Sequence, residues 1–148
     1  MMRWIGVDPG GERVGLAICD DDERLAVPLE VVPASAAFPA VRATAARERA
    51  GGIVVGLPLT LGGSEGEAAR AARRLGQRLA SLGLPVEYSD ERLTTWAAEE
   101  EARRWGGRSS LRGRPADDLA AAMILQRFLD ARRAAPAGGG SRDDDATP

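Results

Sequence analysis

The stretch WIGVDPGGERVGLAIC, residues 4–19, decides the fold of this chain. Mostly apolar residues flank an Asp-Pro-Gly-Gly segment, a pattern typical of two strands joined by a glycine-rich turn. Pro9 biases Asp8 toward an extended backbone, so Asp8 is expected to end the first strand. The period-two alternation of a strand then puts Trp4, Gly6 and Asp8 on one face. An Asp before a turn commonly bonds its own backbone two residues later, and this stretch alone favours that structural reading over a catalytic one.

Downstream of the hairpin, short apolar runs alternate with helical patterns. The predicted strands cover residues 3–8, 13–19, 25–32, 51–58 and 84–91, and the predicted helices cover residues 39–50, 64–83, 94–107 and 116–133. Pro28 assigns the third strand to a sheet edge or a bulge. Ser64 and Glu67 have the spacing of a capping box at the start of the second helix.

The connections between these segments predict the fold class. The first three strands follow one another on short links, which make antiparallel pairs, whereas helical crossovers make parallel pairs. We therefore expect an α/β fold with a mixed five-stranded sheet, a three-strand antiparallel meander plus two parallel strands, flanked by helices. A length of 148 residues suits one domain. We assign it to residues 1–133 and expect residues 134–148 to be a disordered Gly/Asp-rich tail.

The composition limits the chemistry. The chain has no histidine, no lysine and one cysteine, Cys19. These absences exclude His-based triads, His-ligated zinc, thiolate metal clusters and intramolecular disulfides. No apolar run is long enough for a membrane span and no signal-peptide pattern is visible, so no membrane association and a cytoplasmic location are expected.

Two pairs of carboxylates stand at the ends of predicted elements. Asp90 and Glu91 end the fifth strand, where ligands bind in open α/β sheets. Asp90 also suits the N-cap of the next helix, whereas Glu91 points to the opposite face. Asp117 and Asp118 open the last helix, where acidic residues complement the helix dipole. The helical wheel places Asp117 in line with an apolar stripe (Ala120, Ala121, Ile124 and Phe128) and Asp118 at its margin.

Carboxylates from three distant segments favour a divalent-cation site, because their mutual repulsion would otherwise raise their pKa values and destabilise the fold. Hard oxygen ligands select Mg²⁺ or Mn²⁺ over zinc. Two such ions can activate a water molecule and stabilise the leaving oxygen of a phosphodiester, and this chemistry needs neither histidine nor cysteine. The residue inventory therefore favours a two-ion phosphodiesterase site.

An arginine-rich loop precedes the last helix. Arg108, Arg112 and Arg114 lie within the predicted loop over residues 108–115, directly before Asp117. Such a loop beside a metal site can hold a nucleic-acid backbone. The same pattern is equally typical of a solvated loop, and both readings stay open at this point.

Four motifs in this order resemble the YqgF family of bacterial ribonuclease H-like proteins. They are IGVDPGGERVGLA (5–17), VVGLPLTLGGSEG (54–66), DERLTT (90–95) and DDLAAAMILQRFL (117–129). The resemblance covers nearly the whole chain except the tail. It implies the ribonuclease H-like fold and a carboxylate-bound Mg²⁺ or Mn²⁺ site.

The resemblance also assigns residues. It implies Asp8, Glu91 and Asp117 as the catalytic, metal-binding carboxylates. Arg13 and Arg92 lie inside the motifs, and the resemblance implies that they contact phosphate or orient a carboxylate.

Members of this family are described as pre-16S rRNA nucleases or as Holliday junction resolvases. The resemblance therefore implies a metal-dependent endonuclease on structured nucleic acid, with the 5′ end of pre-16S rRNA as the first expected substrate and a Holliday junction, a branched DNA, as the alternative. Glu12 stands where the family commonly has a basic residue and Gly62 where it has an acidic one, so substrate preference stays open. The oligomeric state is expected to be a monomer or a homodimer. An alternative of another class is a non-catalytic RNA-binding assembly factor on the same scaffold.

Overall fold

The structure, a computed structural model, describes residues 2–60, 62–90 and 116–134, with the backbone alone for residues 116–118. Its strands are β1 (Arg3–Pro9), β2 (Arg13–Cys19), β3 (Ala26–Pro33), β4 (Ala50–Leu57) and β5 (Val86–Asp90). Its helices are α1 (Ala37–Glu48), α2 (Glu67–Ala80) and α3 (Ala116–Ala134), with a short 3-10 turn, Ala34–Ala36, before α1. The predicted helix over 94–107, the loop over 108–115 and the tail lie outside the described residues. None of the helices in the described ranges is long and apolar enough to cross a membrane.

The five strands form one mixed sheet in the order β3-β2-β1-β4-β5. β1 pairs antiparallel with β2, and β2 pairs antiparallel with β3. β4 pairs parallel with both β1 and β5, after crossovers through α1 and α2. The predicted meander plus two parallel strands is therefore confirmed, because loop length alone dictates strand direction here.

The edge position of β3 is also confirmed. The strand pairs only with β2, and the register shifts between Leu16 and Ala17, whose partners are Glu30 and Pro28. Pro28 has no N–H to donate, so an edge strand with an irregular ladder tolerates it.

The sheet buries apolar side chains on both faces. On one face, Ile5, Val7 and Val55 pack with α1 and α2. On the other, Trp4, Ala17 and Val54 pack with α3. This two-sided burial explains the almost continuous apolar sequence of β4.

The start of α2 differs from the prediction. The helix begins at Glu67 with Gly66 as N-cap and without a side-chain cap, so the predicted capping box is wrong. The Ser64 hydroxyl lies 2.8 Å from the Thr60 hydroxyl, while Glu67 pairs with Arg70. The reason is the preceding loop, which closes on itself through a bridge between Leu59 and Glu65 and holds Ser64 away from the helix end.

Side chains of α3 hold the helix against the turn between β2 and β3. The amide of Gln126 accepts a hydrogen bond from the Ala26 N–H (2.9 Å) and donates one to the Arg24 carbonyl (2.8 Å). Glu23, which is 7% exposed, accepts from the Met2 N–H at 2.8 Å and from the Arg132 guanidinium at 3.1 Å. These bonds fix the position of α3 along the sheet, which matters below because its first turn carries Asp117.

Glu23 makes the stability of this contact depend on pH. Burial opposes ionisation of Glu23, but hydrogen bonds from the Met2 N–H and the Arg132 guanidinium outweigh it and hold the pKa of this carboxyl below its usual value. A carboxyl with a lowered pKa in the folded state stabilises the fold fully above its unfolded pKa, and this contribution is lost as the pH falls through the folded pKa.

We therefore expect Glu23→Gln to lower the free energy of unfolding by about 2 kcal/mol near neutral pH. The difference from the wild type should shrink as the pH falls below about 4.5, where the unfolded chain takes up its proton. Urea denaturation at a series of pH values measures both quantities. Glu87→Gln is the matched control, since the Glu87 side chain is exposed on β5. A loss that stays constant across the pH series would contradict this role of the Glu23 charge.

Candidate active site

Asp8 lies at the carboxyl end of β1, in the middle of the sheet. It pairs with Gly15 of β2 and is 8% exposed. The Gly10 N–H donates to the backbone carbonyl of Asp8 at 3.0 Å, so this hydrogen bond of the turn does not involve the Asp8 side chain. Trp4 and Gly6, which share the face of Asp8 in the strand alternation, contact α3. Asp8 is therefore a buried acidic residue on the α3 side of the sheet, as its register predicts.

Helix α3 runs antiparallel to β1 and brings its first turn toward Asp8. Phe128 packs on Trp4 with 4.7 Å between ring centroids, and Ala121 lies beside Gly6. Going back four residues from Ala121 to Asp117 covers about 6 Å of helix, and going from Gly6 to Asp8 covers about 6.6 Å of strand. The backbone of Asp117 is therefore level with Asp8 along the sheet.

The buried face of α3 is wider than the sequence predicts. Ala121 and Ile124, in line with Asp117, are fully buried, which confirms that this stripe faces the sheet. Ala122, four residues after Asp118, is fully buried as well. The helix positions in register with Asp117 and those in register with Asp118 therefore both face the sheet.

The fifth strand ends at the same edge as β1. β1 and β5 flank β4 and run parallel to it, so their carboxyl ends lie at the same edge of the sheet. Asp90 pairs with Leu57 and by alternation shares the face of Tyr88, which packs on the α2 side. Asp90 thus lies on the opposite face from Asp8. Glu91 lies outside the described residues.

Arg13 is the one predicted phosphate-contacting residue within the described ranges. It begins β2, two residues before the Gly15 that pairs with Asp8, so it shares the Asp8 face. Its side chain is exposed. Arg13 is thereby available to a ligand that approaches Asp8. The other predicted phosphate-binding residues, Arg92, Arg108, Arg112 and Arg114, lie outside the described residues.

A sequence model of the RuvX family, described as Holliday junction resolvase, matches residues 2–131 of this chain. The chain belongs to the RuvX family. RuvX is another name for the YqgF family, so the match confirms the resemblance read from the four motifs.

Curated relatives of this RuvX-family chain cover nearly its whole length. A protein from Anaeromyxobacter sp. is 47% identical over 90% of this chain and 100% of its own length. One from Chloroflexus aggregans is 41% identical over 87% of this chain and 94% of its own length. Both carry the name "Putative pre-16S rRNA nuclease".

Solved structures place the RuvX-family chain in a known fold. Thermus thermophilus RuvC in complex with a Holliday junction superposes with a TM-score of 0.61 at 22% identity, covering 90% of this chain and 97% of that one. A second RuvC structure from the same organism gives a TM-score of 0.54 at 21% identity, again covering 90% of this chain and 97% of that one. The likeness confirms the predicted ribonuclease H-like fold.

The donor set of the RuvX-family site fits hard divalent ions. The Cys19 thiol is buried beside Trp4, from whose N–H it accepts a hydrogen bond at 3.2 Å, so it lies at the other end of β1 from Asp8. That leaves carboxylates such as Asp8 as the available ligands. Among the residues described with side chains, no three Asp, Glu, Cys or His lie together as a metal site. Glu91 and the side chain of Asp117, two of the three predicted ligands, are not among them.

Proposed function

We propose that this protein is a divalent-metal-dependent nuclease that hydrolyses phosphodiester bonds in structured nucleic acid. The observation that carries the proposal is the buried Asp8 carboxylate at the carboxyl edge of the sheet, level with the first turn of α3. Carboxylate oxygens at such an edge are the hard ligands that Mg²⁺ and Mn²⁺ prefer.

We assign the metal ligands to Asp8, Glu91 and Asp117. The alternation along β5 supports Glu91 over Asp90, because Asp90 shares the face of Tyr88 on the α2 side. The buried stripe of α3 supports Asp117 and equally admits Asp118. These residues would hold two Mg²⁺ or Mn²⁺ ions, which would supply an activated water and stabilise the leaving oxygen. We assign phosphate contacts to Arg13, which shares the Asp8 face, together with Arg92, Arg108, Arg112 and Arg114.

We propose the 5′ end of pre-16S rRNA as the substrate, with the protein acting in the cytoplasm. The names of the curated relatives support this assignment. The family description and the likeness to RuvC favour a second candidate, the Holliday junction. Symmetric cleavage of a junction requires a homodimer that presents two sites, whereas trimming of an RNA end requires only a monomer.

Cleavage of the two substrates by the purified chain tests the proposal. With Mg²⁺ or Mn²⁺ we expect cutting of labelled precursor rRNA at least about tenfold faster than cutting of a labelled four-way junction, and no cutting in the presence of a chelator. Faster cutting of the junction would replace the rRNA assignment by the second candidate. Binding of RNA without cleavage under all these conditions would overturn the nuclease and favour an assembly factor.

A further inference from the structure

A groove of about 390 Å³ lies on the side of the sheet opposite Asp8. One wall is the β1–β2 turn, with Gly10 and Gly11, and the other is the outer face of α2, with Ala71, Arg74 and Arg78. We call this feature the Arg74–Arg78 groove. Gly10 follows Asp8 by two residues, so the backbone at the edge of the groove lies within about 7 Å of the Asp8 backbone.

The arginines of the groove carry charge that the described residues leave mostly uncompensated. The guanidinium carbon of Arg78 lies 4.9 Å above the centre of the Phe38 ring. Arg78 forms no ion pair within the described ranges. Arg74 reaches Glu67 only at 3.5 Å, and an exposed pair of this kind neutralises little.

The walls of the groove are small and partly apolar. Ala71 is exposed, Leu75 also lines the groove, and a Cβ placed on Gly11 would meet no atom within 4 Å. The groove therefore has room for a planar ring between apolar walls, with guanidinium groups at hand for phosphate contacts or stacking.

We propose that the Arg74–Arg78 groove binds an unpaired nucleotide of the RNA substrate, next to the strand held at Asp8. This inference rests on the proposed nuclease function and adds a substrate class to it, RNA that is single-stranded beside the cleavage site. An unpaired base can leave the stack and enter a narrow groove, whereas the bases of a duplex stay stacked inside it. No local pattern in the sequence indicates this groove, because only the packing of α2 beside the β1–β2 turn brings Arg74 and Arg78 near Gly10 and Gly11.

Binding of a fluorescein-labelled single-stranded RNA of about ten nucleotides, followed by anisotropy, tests the groove. We expect Arg78→Ala and Ala71→Leu each to raise Kd about tenfold. Arg78→Ala should also reduce the salt slope of binding by about one, whereas Ala71→Leu, which only fills space, should leave the slope unchanged. Arg47→Ala and Ala80→Leu are the matched controls, because both residues are exposed and line no part of the groove.

A duplex RNA of the same length separates a nucleotide site from a general cationic surface. We expect Ala71→Leu to raise the Kd for single-stranded RNA and to leave the Kd for duplex RNA unchanged. If Ala71→Leu weakened the binding of both RNAs equally, the groove would not be a nucleotide site. The same would follow if both groove variants bound RNA like the wild type while the wild type cleaves RNA. Neither result would contradict the nuclease function. If the wild type neither binds nor cleaves any nucleic acid, the proposed function itself fails. Circular dichroism melting confirms that each variant is folded.

Discussion

Asp8→Asn is expected to lower the kcat/KM of RNA cleavage by about a thousandfold or more. Asn keeps the size of Asp and keeps the backbone carbonyl that accepts from the Gly10 N–H. It removes the negative charge and one of the oxygen ligands that divalent ions prefer. The turn and the strand should therefore survive while metal binding is lost. Cleavage rates measured across a Mg²⁺ or Mn²⁺ titration, together with thermal melting, separate the two effects.

Asp22→Asn is the matched control for that experiment. Asp22 is exposed in the turn between β2 and β3, which lies at the opposite end of the sheet from Asp8. We expect the control to cleave like the wild type. Full activity of Asp8→Asn would remove Asp8 from the catalytic site, and equal loss in both variants would mean that net charge, not the site, determines the rate.

Gly6→Ala is expected to lower the free energy of unfolding by about 3 kcal/mol. A Cβ on Gly6 would lie 2.8 Å from the Leu125 Cβ and 2.9 Å from the Ala121 backbone oxygen. Neither atom belongs to the end of a flexible side chain, so the whole of α3 must move away from the sheet. Because α3 carries Asp117, cleavage at a temperature where the variant is folded should also fall. Urea denaturation measures the first effect and kcat the second.

Gly11→Ala provides the comparison for Gly6→Ala, because a Cβ at Gly11 meets no atom within 4 Å. The control should change the free energy of unfolding by no more than about 0.5 kcal/mol. A Gly6→Ala variant as stable as this control would show that α3 does not lie on β1 as closely as described.

The order and direction of the strands follow from local signals in the sequence. Short glycine- or proline-marked links force antiparallel neighbours, and the helical segments before and after β4 force parallel ones. The alternation along residues 4–8 likewise places Asp8 on the face of Trp4 and Gly6, and the apolar stripe of α3 faces the sheet. The motif order was sufficient to identify the family.

The local signal for a capping box failed at the start of α2, where a contact within the preceding loop competes with it. Ser64 and Glu67 have capping-box spacing, but the closed loop between Leu59 and Glu65 gives Ser64 another partner. The margin position of Asp118 stays a prediction, and α3 buries Ala122, in line with it, as fully as Ala121. The partner of Ser64 thus depends on the fold of one short loop, whereas the width of the buried face of α3 depends on how closely the sheet approaches it.

By itself, the sequence determined which residues lie at the ends of the strands, which face they share and which kinds of ligand they offer. Only the tertiary structure decided the position of α3 along β1. That position depends on the close approach to Gly6, which has no Cβ, and on the hydrogen bonds of Gln126 and Glu23. The tertiary structure also decided that α2 and the β1–β2 turn enclose a groove with Arg74 and Arg78. The physical reason is the separation along the chain of the residues that interact. Strand and helix periodicity is a property of neighbours in the chain, whereas close packing depends on the shapes of surfaces that meet only after folding.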